Sequence, residues 1–160
     1  MRKIDINSRE YQCWHELGHA VVCIHLGGTV DLVEFLNDQP HAQGMARARC
    51  NTNEEIRSHV LCGGFAAELF LLRNQFLPSI SEKEIAQIIF KNATKDREMY
   101  WGRELQPDEQ FTREEDEIFM NHATAVMPIV GTYKSAIQTL VPGLLEAGRL
   151  DGKCIQDAMG

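Results

Sequence analysis

The sequence predicts a mainly α domain with a small β-sheet, α+β in class. Three observations carry this. Cap signatures of the form polar-x-x-Glu recur along the chain. Apolar residues follow them at helical spacing, and strand-like segments are confined to the first third.

Taken in order, Asn7 with Glu10 marks the first helix start, and the apolar pattern runs to Leu26, where Gly27 and Gly28 stop it. "TVDLVEFL" (29–36) reads as a strand, "NDQPHAQG" as a turn region and "MARAR" (45–49) as a short strand with one charged face. Thr52 with Glu55 opens a helix through "IRSHVLCGGFAAELFLLR", and Ser81 with Glu84 opens another to about Trp101. Thr112 with Glu115 opens an acidic helix that Pro128 is expected to kink or break. A further helix is expected over 129–141, with Pro142 starting the next, Gly148 ending it and Asp151 capping a last short one. No repeat or low-complexity linker interrupts the chain, so residues 1–160 are expected to form a single domain.

Composition narrows the function. A net charge of −7 without a dense Lys/Arg run argues against a nucleic-acid partner; Arg47 and Arg49 are too small a patch. Five cysteines, an odd number with no CxxC pair, suit reduced thiols in a cytoplasmic protein. No apolar core of a signal peptide follows Arg2 and Lys3, and no run approaches the ~18 apolar residues of a membrane span.

The chemistry sits in "HELGHAVV", residues 15–22. Residues four apart share a helix face, so His15 and His19 can point two imidazoles at one zinc ion. Glu16, ~100° further round, can reach a zinc-bound water as general base without binding the metal. The bland alternative is a chance HExxH on a solvated face, but the apolar "AVV" beside it marks a buried helix. His25 has the spacing of a metzincin third histidine, yet Val22 stands where that pattern needs a turning glycine. Cys23 continues the row but lies ~12 Å along the axis from His15. Neither is expected to be a ligand. Spacing leaves Glu54, Glu55, Glu68, Glu84 and Asp96 all open as the third. The small residues of "CGGFAA" imply another helix packed backbone-close, with the HELGH helix as the candidate, against an ordinary helix crossing with no catalytic meaning.

HELGHAVV, "LCGGFAAELFL" and "SEKEI…MYWG" together resemble the peptidase domain of FtsH-type ATP-dependent zinc proteases. In that family the zincin helix reads HEAGHA and a second helix carries a GGRxAE-like stretch, matched here by Gly63, Gly64, Ala67 and Glu68. A W-G pair, here Trp101 and Gly102, closes the next helix, and the tail "GRLDGKCIQDAM" is similar to the family's last short helix. The resemblance covers nearly the whole chain and implies a zincin-type, FtsH-like fold holding Zn2+. It places the third ligand at the start of the third motif, where Glu84 stands in place of the family's Asp, followed by the matching Ile85. Asp96, further along the same expected helix, is the alternative, and Ser81-x-x-Glu84 reads equally as a capping box.

The family's ATPase module has no counterpart here: no GxxxxGK[ST] loop occurs, and the membrane anchor is also missing from the sequence. The expected activity is therefore ATP-independent hydrolysis of peptide bonds in peptides or unfolded segments by a zinc metalloendopeptidase. A separate ATPase or a homo-oligomer is the partner this allows. "MARAR" is the candidate edge strand for an extended substrate, against an ordinary strand with a solvated Arg face. The rival function is a non-catalytic adaptor or assembly partner with structural zinc, which would have no need of Glu16. A zinc hydrolase acting on a non-peptide amide is a further rival.

Overall fold

Helix α1 (Arg9–His25) is the axis of the structure, a computed structural model that describes residues 2–37, 46–78 and 82–160. Every residue from Tyr11 to Cys23 is buried. A helix enclosed all round must be covered on every face, and α1 is packed on by both strands that follow it and by most of the later helices.

The chain continues as β1 (Thr29–Phe35), β2 (Ala46–Asn51), α2 (Glu54–Leu61), α3 (Gly63–Arg73), α4 (Glu82–Asn92) and α5 (Thr94–Trp101). Then come α6 (Arg113–Thr132), α7 (Lys134–Ala147), β3 (Arg149–Asp151) and α8 (Gly152–Met159). The three strands form an antiparallel sheet in the order β2-β1-β3, with Asp31 as an extra residue that shifts the β1–β2 register. The class is α+β. Among the described residues, no helix is long and apolar enough to cross a membrane.

The crossing of α1 and α3 fixes the interior. A Cβ at Gly18 would lie 2.5 Å from the Gly63 carbonyl oxygen, and one at Gly63 would lie 2.8 Å from the Gly18 carbonyl oxygen. The backbones touch, which accounts for the small residues of "CGGFAA" and confirms the HELGH helix as their partner. Phe65, on the same helix, stacks edge-on against Phe90 and Phe119, tying α4 and α6 to this crossing.

Several helix starts follow their local signals. Thr112 and Glu115 form a reciprocal capping box, Gly148 ends α7 at φ 76°, and Asp151 Oδ1 accepts the Cys154 N–H at 2.8 Å. Others shift by a residue. Ser8, not Asn7, caps α1, its hydroxyl accepting the Tyr11 N–H at 3.1 Å. Asn53, not Thr52, caps α2, its side chain accepting the Ile56 N–H at 3.0 Å. The Ser81 cap and nearly all of the turn region fall outside the described residues.

The larger corrections have tertiary causes. The helix expected over 56–73 is interrupted at the fully buried Cys62, and the one expected to reach Trp101 is interrupted at the fully buried Ala93. Pro128 lies inside α6 and Pro142 inside α7, and neither ends its helix. Both prolines are exposed, so water can serve the carbonyl whose N–H partner is missing. The break falls instead at Tyr133. Strand β3 has three residues and exists only as a partner to β1.

Two glycine substitutions should move stability in opposite directions. Gly18→Ala forces the α1–α3 backbones apart and should cost about 1–3 kcal/mol. Gly143→Ala, whose nearest contact would be an ordinary 3.8 Å to Leu150, should gain about 0.4–1 kcal/mol in helix α7. Urea unfolding midpoints of the two variants against wild type check both signs.

Candidate metal centre

The i, i+4 pair on α1 delivers what its spacing promised. His15 and His19 stand on one face with ring centroids 5.0 Å apart, and their Nε2 atoms are separated by 3.3 Å. Asp96, in the first turn of α5, completes the group: its Oδ2 lies 3.1 Å from each Nε2. Ligand atoms of a tetrahedral ion with bonds of about 2.0–2.1 Å stand about 3.3 Å apart, so these three oxygen and nitrogen atoms have the spacing of one face of such a site. His15, His19 and Asp96 can hold a metal ion.

The opposite ring nitrogens are anchored. His19 Nδ1 lies 2.7 Å from the Val60 carbonyl oxygen. A carbonyl only accepts, so Nδ1 carries a proton and donates it, and Nε2 presents its lone pair to a metal. His15 Nδ1 lies 2.8 Å from Glu68 Oε2, and the Glu68 carboxylate, fully buried, also accepts from Asn92 Nδ2 at 2.7 Å. Asn92 bonds in turn to Asn7 Oδ1 at 2.9 Å. Glu68 is thus no third ligand but the group that fixes the His15 ring.

Charge is concentrated here. Burial opposes protonation of His15, yet Asp96 and Glu68 outweigh it and hold its pKa well above the usual imidazole range. Burial also opposes protonation of His19, and Asp96 again prevails. Asp96 is held well below the ordinary carboxylate range, because the two rings outweigh its burial. Glu16, buried with Oε1 3.9 Å from His15 Nε2, is shifted upward by desolvation. The carboxylates draw positive charge to the rings, and a metal ion competes for the Nε2 positions that protons otherwise take.

Glu84, the expected third ligand, does not join the group. It is exposed on α4, where the inward positions go to Ile85 and Ile89, both almost fully buried. The carboxylate brought to the histidines comes from the next helix, α5, where Asp96 faces the same side as Asn92 one turn before it. Glu54 and Glu55 are exposed at the start of α2. His25 is exposed and its Nδ1 lies 2.9 Å from the Tyr133 hydroxyl, while buried Cys23 donates to the Thr29 carbonyl oxygen at 3.4 Å. Neither belongs to the centre.

Gly64 has a role that helix packing alone did not suggest. A Cβ there would run into the His15 ring and come within 2.6 Å of His19 Nε2. The backbone of α3 therefore roofs the two imidazoles as closely as it packs on α1. The signal was present as the second glycine of the pair, but sequence cannot say which glycine faces what.

The centre opens into a cleft of about 810 Å³. His15, Glu16 and His19 line its floor, β2 contributes Ala46, Arg47, Ala48 and Cys50, and α2, α4 and α5 supply the remaining walls. Searches of family models and of curated proteins return no match to this chain.

Elemental analysis should find about one divalent metal ion per chain, lost on His15→Ala, His19→Ala or Asp96→Ala but retained by Glu84→Ala. Glu68→Gln, which keeps the volume but weakens the hold on His15, should reduce affinity about 10–100-fold in a competition with a chromogenic chelator.

Proposed function

We propose that this chain is a zinc-dependent metallopeptidase of the zincin type, FtsH-like in its peptidase fold, which hydrolyses peptide bonds of peptides or unfolded segments. The observation that carries the reading is Glu16. It is a buried carboxylate beside, and not within, the His15–His19–Asp96 group, at the floor of an open cleft. A purely structural metal site has no use for such a group.

Two imidazole nitrogens and one carboxylate oxygen are a donor set that suits zinc and leaves a position open for substrate or water. When bound, zinc supplies Lewis-acid polarisation of a carbonyl and activation of water. The protein's own contribution is positional. Glu68 and the Val60 carbonyl hold the two rings in the tautomer and orientation that offer Nε2. Glu16 takes a proton from the attacking water as the water's oxygen bonds to the peptide carbonyl carbon, and returns it to the amine as the C–N bond breaks. Strand β2 lies at the edge of the sheet and lines the cleft, so its main-chain groups are available to an extended segment added as a further strand. All five cysteines are free thiols, in keeping with a cytoplasmic setting.

Glu16→Gln should keep the zinc and lose about 10²–10⁴-fold in hydrolysis, because the proton acceptor alone is removed. The assay is cleavage of an unfolded model protein by the zinc-loaded chain, without ATP. If the zinc-loaded wild type leaves unfolded protein and peptide libraries intact, the peptidase reading fails and the non-catalytic adaptor replaces it.

A further inference from the structure

The cleft and the molecule carry opposite charge. The chain as a whole has a net charge of −7. Yet among the described residues lining the cleft are four cations, Arg47, Arg57, Lys91 and Lys95, while of the two acids there Asp96 belongs to the metal group and Glu16 is buried beside it.

These four cations are not equivalent. Arg47 is bound across the sheet to Glu34, at 2.8 Å from Nε and 2.7 Å from Nη2, so its charge is offset. Arg57 is exposed on α2, with Nη1 donating at 3.5 Å to the Met99 carbonyl oxygen, an uncharged acceptor. Lys91 and Lys95 are exposed at the junction of α4 and α5 and form no ion pair among the described residues. Among the described residues, three cations on the helical walls thus form no ion pair, with Lys95 next in sequence to Asp96.

From this charge arrangement we infer that the cleft selects polypeptide segments carrying aspartate or glutamate close to the bond to be cut. The inference rests on the peptidase reading and names its substrate class. At ~0.15 M salt the Debye length is about 8 Å. The acidic remainder of the surface is then largely screened from a bound segment, whereas Arg57, Lys91 and Lys95 act at contact range. A cleft lined by one sign of charge between low-dielectric walls concentrates the field and raises the encounter rate of oppositely charged ligands. A solvated lysine face with no consequence for substrate is the competing account, and it predicts indifference to peptide charge.

The test uses three internally quenched peptides of one length, with Glu, Gln or Lys on both sides of the cleavage site, and the zinc-loaded full chain. The expected order of kcat/KM is Glu, then Gln, then Lys, with about tenfold between the extremes and a smaller spread in 1 M salt. Lys91→Glu/Lys95→Glu, at two exposed positions, should reverse the order. Equal rates on the three peptides, or an order the double variant leaves untouched, would overturn the inference while leaving the peptidase reading intact. Fluorescence anisotropy of the same peptides on zinc-loaded Glu16→Gln reads selection without hydrolysis. Tighter binding of the Glu peptide there, with no cleavage by wild type, would sustain charge selection while the peptidase reading falls. Equal binding of all three overturns the selection whatever the activity.

Discussion

The contact on which the rest of the structure depends is the backbone-to-backbone crossing of α1 and α3 at Gly18 and Gly63. Helices with ordinary side chains at the contact pack 8–10 Å apart. Here glycine on both sides removes the side chains, and the carbonyl of each meets the Cα region of the other. One turn of consequences follows. Gly64 comes down over the His15 and His19 rings, and Glu68, further along the same helix, arrives beneath His15 Nδ1. The interruption at Cys62 matters for the same reason. It ends α2 so that the Val60 carbonyl, in a last turn whose carbonyls lack full intrahelical partners, can take the His19 Nδ1–H. Packing and ring orientation are therefore one constraint seen from two sides.

Electrostatics explains why such a centre must be built with care. Glu16, Glu68 and Asp96 converge on two imidazoles in a region where burial raises the cost of every charge. Buried ions are tolerated where hydrogen bonds satisfy them. Glu68 meets that condition twice, through His15 and Asn92, and Asp96 meets it through both rings. Glu16 is different: its charge is opposed by burial and by its carboxylate neighbours, with only the rings in its favour. Its upward shift suits the proton-accepting role proposed for it.

What the sequence made legible was local. Thr112 with Glu115, Gly148 and Asp151 act through contacts three or four residues long, so their signals survive folding unchanged. The His15–His19 pair is legible for the same reason. The choice between Glu84 and Asp96 is not local. It turns on which residues of α4 face inward, a matter settled by burying Ile85 and Ile89, and on a helix interruption at Ala93 that no proline or glycine announces. Pro128 and Pro142 show the converse, a strong local signal outvoted. The apolar faces of α6 and α7, with Val126, Val130, Ile137, Val141 and Leu144 all buried, bury more than one missing hydrogen bond costs.

The segment from Lys91 to Asp96 gathers these threads. In one uninterrupted helix, Asn92 and Asp96 would share a face and Lys91 and Lys95 another, ~100° away. Across the interruption at Ala93, where the Thr94 hydroxyl donates to the Lys91 carbonyl at 2.7 Å, the two pairs keep the separate sides a continuous helix would give them. Asn92 reaches Glu68, which bonds His15 Nδ1, and Asp96 reaches Nε2 on the other edge of that ring, while Lys91 and Lys95 are exposed on the cleft wall. The inward pair belongs to the cluster around the histidines, and the outward pair adds positive charge to the cleft wall. Ala93, between the two pairs, is fully buried, so a larger side chain there is expected to disturb the metal group. The two exposed lysines are not among the three ligand residues, so the proposed charge selection can be varied there without removing a ligand.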